Sequence, residues 1–230
     1  MARTTLRARL AGARLKQLLF AAAVAVVCGL VLVMTASSAQ AKEVRGTNAP
    51  DTLFGTSGGD RAFGYAGNDY IDLGSGPDIL VGNRGRDYML GGFGRDTLYG
   101  NLSPDRLDGG AGPDEVRGGY GPDRVDGGSG TDYVVGGPGG DIVLGYTGFD
   151  ILIGGWGNDD VFGGPGGDIV FGNAGSDTLN GGSGDDDLNS AGDGTYDKVY
   201  GGPGYDICIV GYEDFVPQGG VYGCEEVYRR

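Results

Sequence analysis

From residue 46 onward, single apolar positions recur among polar, glycine-rich residues at one fixed interval of nine. In units counted from Gly46, the eighth place is apolar throughout, from Leu53 and Ala62 through Val143 and Leu152 to Leu188. The sixth place of all sixteen units is aspartate: Asp51, Asp60, Asp69, Asp78, Asp87, Asp96, Asp105, Asp114, Asp123, Asp132, Asp141, Asp150, Asp159, Asp168, Asp177 and Asp186. Glycine holds the first place everywhere except at Leu73, and the fourth everywhere except at Ala49 and Ser103. Ser190 and Ala191 then shift the frame by two, and two further units follow with Asp197 and Asp206. An unbroken short period of this kind marks a solenoid, in which each unit buries its apolar residue only by stacking on its neighbours.

Places seven to nine, such as Tyr133-Val134-Val135, predict a three-residue strand with its middle side chain inward and its flanking ones outward. Glycines at places one, two and four permit positive φ, so that the six loop residues turn tightly and aim carbonyls inward. Two units then close one turn of 18 residues, with a strand on each face and a loop on each edge. About nine turns stacked at ~4.8 Å give a rod on the order of 40 Å long. The predicted class is all-β: a parallel β-roll, or two-sheet solenoid, with a short C-terminal cap. It implies a leader over residues 1–41, the repeats over 42–209 and the cap over 210–230.

The leader has the secretory layout. Arg3, Arg7, Arg9, Arg14 and Lys16 precede an apolar run from Leu18 to Met34, and Ala39-Gln40-Ala41 supplies small residues for cleavage after Ala41. The run is nearly long enough for a membrane anchor, but the adjoining Ala-x-Ala favours removal, and Cys28 goes with the discarded segment. After Ala41 the chain holds the other 12 bases and all 31 acids, 12 − 31 = −19. Such a surface excludes nucleic acid and, after cleavage, an anionic membrane, and it seeks cations. Histidine is absent, which removes the commonest general base and metal ligand.

Units such as GGSGTDYVV (127–135) and GGPGGDIVL (136–144) resemble the RTX, or haemolysin-type, nonapeptide G-G-x-G-x-D-x-U-x over residues 46–209. The resemblance implies a calcium-binding β-roll with several ions. Related bacterial repeat proteins are also similar in carrying a cysteine in the last unit and a Cys-Glu near the end. The family's separate catalytic or pore-forming domain has no counterpart in this sequence. An N-terminal leader in place of the usual C-terminal secretion signal questions a type I export role for the repeats.

Electrostatics favours the same ion. Aspartates 18 apart stack on one edge, and carboxylates ~4.8 Å apart repel by about 0.9 kcal/mol per pair even in water. Calcium takes six to eight oxygens in flexible geometry, whereas magnesium demands a stricter octahedron and zinc lacks nitrogen ligands here. The sixteen aspartates make fourteen same-edge pairs, and fourteen divalent ions would overshoot the charge of −19, so graded occupancy is expected. Affinities on the order of 10⁻⁴ to 10⁻³ M are expected, with disorder in the metal-free chain. The alternative is a metal-free solenoid whose aspartates cap Asx-turns, although such turns would also accept Asn, Ser or Gly. The weakest sites are expected at Asp105 and in the Leu73 unit.

Cys208 and Cys224 remain after cleavage, and an exported chain without histidine favours a disulfide over two free thiols. Tyr133, Val135, Ile151, Ile153, Ile169 and Phe171 fall at outward places of alternate units and should form one apolar patch. They reflect either β-propensity on a tolerant face or a surface for self-association or a protein or glycan partner. Arg106 with Asp108, and Arg124 with Asp126, read as a charge ladder on a solvated face. No nucleophile–base pair or phosphate loop is found. The resulting expectation is a secreted, extracellular, non-enzymatic calcium-binding module. The alternatives are an adhesin or self-associating surface protein using the apolar face and, behind it, a toxin- or enzyme-related chain lacking its catalytic domain.

Overall fold

The computed structural model describes residues 41–214 and 223–230. The predicted leader, apart from Ala41, lies outside the described residues. Twenty strands and no helix are present among the described residues. They form two parallel sheets, one of eleven strands and one of nine, with consecutive strands alternating between the sheets up to Ile207–Val210, which the last strand joins in the same sheet. The eleven-stranded sheet starts with Glu43–Arg45 and Arg61–Ala66 and ends with Ile207–Val210 and Glu226–Arg229. The other runs from Thr52–Phe54 to Lys198–Tyr200. The register is that of the repeat: Val134 faces Leu152 and Leu152 faces Val170, each 18 residues on.

This is the expected two-sheet solenoid. Twenty strands at two per turn make about ten turns, one more than the units alone predict, because Glu43–Arg45 and Glu226–Arg229 add a strand at each end. The core is a single column of eighth-place side chains, from Leu53 to Leu188, then Val199 and Cys208, all at most 1 % exposed. Leu73 is likewise fully buried and joins this column.

Two local expectations are corrected. Most strands run six residues rather than three, as in Ile79–Arg84, because the first three loop residues of the next unit also pair with adjacent turns: Asn83 faces Asn101 and Arg84 faces Leu102. First-place glycine, in turn, does not serve a positive φ, which occurs at places two and four, as in Gly92 (+103°) and Gly94 (+141°). The first place needs space. A Cβ on Gly82 would lie 2.2 Å from Oδ2 of Asp87, so glycine there leaves room for that carboxylate, whereas Leu73 fills the first place of its unit with Asp78 still seated in the ladder.

Candidate metal centre

The repeat aspartates turn inward from the two edges and are at most 5 % exposed. From Asp69 onward each accepts, through Oδ1, the backbone N–H of the aspartate one turn earlier, at 2.6 Å for Asp60 to Asp78 and 2.9 Å for Asp69 to Asp87. The aspartate's own carbonyl accepts the N–H of a seventh-place residue, as from Tyr70 to Asp51 at 2.9 Å. One carboxylate oxygen per unit thus belongs to the backbone ladder between turns. On one edge the ladder begins at Asp51, and on the other at the N–H of Lys42, which donates to Asp60. Both series cross the two-residue insertion intact, from Asp177 to Asp197 and from Asp186 to Asp206.

The ladders end on two residues that the period does not reveal. Asp197 N–H donates to Asp214 Oδ1 at 3.1 Å, and Asp206 N–H donates to Glu225 Oε2 at 2.8 Å. These acceptors lie 17 and 19 residues beyond their partners instead of 18, so a fixed register misses them. A carboxylate near one turn's distance past each last repeat aspartate is the only signal. Asp214 also accepts the Ser190 hydroxyl at 2.7 Å. Cys208 and Cys224 are disulfide-bonded, with Cα atoms 6.0 Å apart, which ties Glu225 to the turn it closes.

The second oxygen behaves differently. Oδ2 of every repeat aspartate from Asp69 to Asp206 is buried and has no hydrogen-bond partner among the described residues. Burial therefore pushes these carboxyls up, against the lowering effect of the backbone bond to Oδ1: Asp87 to about 6, Asp78 and Asp114 to about 7, and Asp105 to about 8. Neighbouring aspartates on the same ladder add repulsion at Asp105, from Asp87 and Asp123. A buried carboxylate left this way either takes a proton or finds a cation.

Asp51 and Asp60 are the exceptions. Thr47 donates its N–H to Asp51 Oδ2 at 2.5 Å and its hydroxyl at 3.1 Å, and Thr56 does the same to Asp60 at 2.5 and 2.9 Å. In these two units the second oxygen is satisfied by the threonine four residues earlier, which is not the Asx-turn considered above, where the donor lies two residues further on.

The orphaned oxygens, stacked turn on turn, fit a hard cation. No group of three or more His, Cys, Asp or Glu side chains able to hold a metal occurs among the described residues. A cation must therefore draw on backbone carbonyls as well, which suits calcium. Six stretches match the family of the RTX calcium-binding nonapeptide repeat: residues 45–80, 73–107, 99–134, 108–143, 135–170 and 162–194. The chain belongs to that family. It is a calcium-binding repeat protein. None of the curated proteins matches it. The family match ends at residue 194, close to the insertion, but the ladder of the fold continues through Asp197 and Asp206.

The remaining predicted residues also find their places. Tyr133, Ile151 and Ile169 stand in register, as do Val135, Ile153 and Phe171, forming one half-buried apolar patch on the eleven-stranded sheet. Its edge is marked by Arg117, which pairs with Glu115 at 2.8 Å and lies 5.1 Å from the Tyr133 ring centroid. Arg106 and Arg124 are in register, as are Asp108 and Asp126. The solvated-face expectation fails for Asp126, which is only 3 % exposed beneath Arg124 at 3.1 Å. Burial raises its carboxyl, and Arg124 opposes that shift.

Proposed function

We propose that calcium seats between stacked turns on the orphaned Oδ2 atoms from Asp69 to Asp206, and that this binding is what folds the chain. The observation that carries the reading is the unbroken series of buried, unpartnered carboxylate oxygens. The cation supplies the positive charge these oxygens lack. Gly82 and its equivalents keep the space clear for the carboxylate, and the Oδ1 ladder holds each one in place. About nine or ten divalent ions would cancel the charge of −19, fewer than the sixteen orphaned oxygens, so filling is graded and collective. With the carboxylates divided between two edges and shared along them, affinity per site falls on the order of 10⁻⁴ to 10⁻³ M. Asp51 and Asp60, satisfied by threonine, stand outside the metal series.

The folded rod acts outside the cell as a non-enzymatic structural or interaction module. The basic, apolar, Ala-x-Ala order of residues 1–41 supports export, and mass spectrometry of the secreted protein should find Lys42 at its N-terminus. The in-register patch from Tyr133 to Phe171 supports contact with a partner or a second copy.

Circular dichroism with calcium and with a chelator tests the central claim. A β-rich spectrum is expected only with calcium, and identical β-rich spectra in both would refute coupled folding.

A further inference from the structure

The edge where chain passes from the eleven-stranded to the nine-stranded sheet carries a shallow groove of about 480 Å³. Its side chains come from places two and three of alternate units, one turn apart: Asn48, Tyr65, Asn83, Arg84, Asn101 and Tyr120. The backbone beneath them is strained. Tyr65, Asn83 and Asn101 have φ of +76°, +81° and +80°, at a place where most other units put glycine, as at Gly92 and Gly110; Tyr146 and Asn173 share the positive φ singly, outside the groove. A side chain held in that region is costly, and tyrosine there is rarer than asparagine. The calcium-binding design does not require these side chains, since glycine serves the same turn in neighbouring units. Three such side chains in register on successive turns, kept without a folding reason, point to use.

We infer that this groove binds a linear, uncharged oligosaccharide along the rod. The groove crosses four turn-to-turn steps, about 19 Å at sheet spacing, and is open along its length. Asparagine amides one turn apart each offer a donor and an acceptor, the pairing that neighbouring sugar hydroxyls need. Among the described residues only Asn101 spends a donor internally, on the Tyr99 carbonyl at 3.3 Å. Tyr120, 62 % exposed, offers a ring on which a flat pyranose can stack; Tyr65, already stacked on Phe63 and accepting from Arg45 at its hydroxyl, contributes its outer edge. An added peptide strand is disfavoured because the loop backbone is already paired between turns, with Gly67 N–H on Arg84 O and Ser103 N–H on Tyr120 O. The lining is mostly neutral amide and phenol, with Arg84 its one charged side chain, which matches sugar hydroxyls rather than a row of carboxylates. This inference is independent of the apolar sheet face.

The test titrates cellohexaose, chitohexaose, laminarihexaose and a hexagalacturonate into the calcium-loaded protein by calorimetry. At least one neutral hexamer should bind, and the triple variant Tyr65→Gly, Asn83→Gly, Asn101→Gly should weaken it by about tenfold or more. Because glycine relieves the backbone, that variant should melt no lower than the parent, which separates lost binding from lost fold. Tyr120→Ala, at an unstrained position, should weaken the same ligand severalfold. Binding by none of the neutral hexamers, binding of hexagalacturonate alone, or unchanged affinity in the triple variant would each overturn the inference.

Discussion

The first two repeat units and the fourteen that follow share one aspartate ladder, yet differ in what happens to the second carboxylate oxygen. In the Thr47 and Thr56 units, place two has no positive φ, and its N–H and hydroxyl satisfy Oδ2. From Tyr65 to Gly182, every place-two residue has a positive φ, and every Oδ2 is orphaned. The cause lies in threonine's branched Cβ, which keeps it out of the left-handed region that glycine, asparagine and even tyrosine occupy here. Within the sixteen in-register units this one dihedral goes with the difference between a self-capped carboxylate and an orphaned one; in the shifted unit Asp193 has no positive φ and Asp197 Oδ2 is orphaned all the same. The N-terminal units satisfy both carboxylates from their own threonines, and the C-terminal end is closed by Asp214, Glu225 and a disulfide instead.

The largest expected effect is on pH. Burial raises the folded carboxyls of the interior units from an ordinary value of 3.8, with Asp87, Asp114 and Asp105 pushed up to about 6, 7 and 8. The folded roll thus holds more protons than the unfolded chain between those values, and its metal-free stability is complete below 3.8 and lost as pH rises through 6 to 8. Acidifying the calcium-free chain from pH 8 to pH 4 should restore strand signal in circular dichroism; a flat response would remove the distinction between orphaned and satisfied oxygens.

Next in size is a reversal of sign. Asp114→Asn keeps an acceptor for the ladder and removes a buried charge, so it should stabilise the metal-free roll and destabilise the calcium form by about 1–3 kcal/mol. Asp60→Asn puts an amide where Thr56 donates and should destabilise both forms, read by denaturant melts with and without calcium. A matching response at the two positions would mean that the units do not differ.

The smallest effect should come from exchanging the place-two residue itself. Thr56→Gly frees Asp60 Oδ2 and should add one ion to the calorimetric stoichiometry at a cost of about 1 kcal/mol in chelator. An unchanged ion count would show that place two does not control the site.

Much of this was readable along the chain. The period of nine placed Leu53 to Leu188 in one column and the aspartates on two edges, because a solenoid repeats its contacts as its sequence repeats. Asp214 and Glu225 escaped because they stand one residue short of and one past the 18-residue step. The burial of Asp126 escaped because it depends on the Arg124 side chain lying over it, which spacing does not report. The role of first-place glycine was misassigned for a related reason: the need there is room for a carboxylate from five residues on, a contact invisible in one dimension.

What the sequence alone determined, then, is the repeat, its handful of residue types and the acidity that calls for calcium. Only the tertiary structure decided which carboxylate oxygens are already satisfied. The composition of a unit sets which groups are present, but a hydrogen bond depends on the direction of an N–H, and that direction is set by the loop backbone packed between turns.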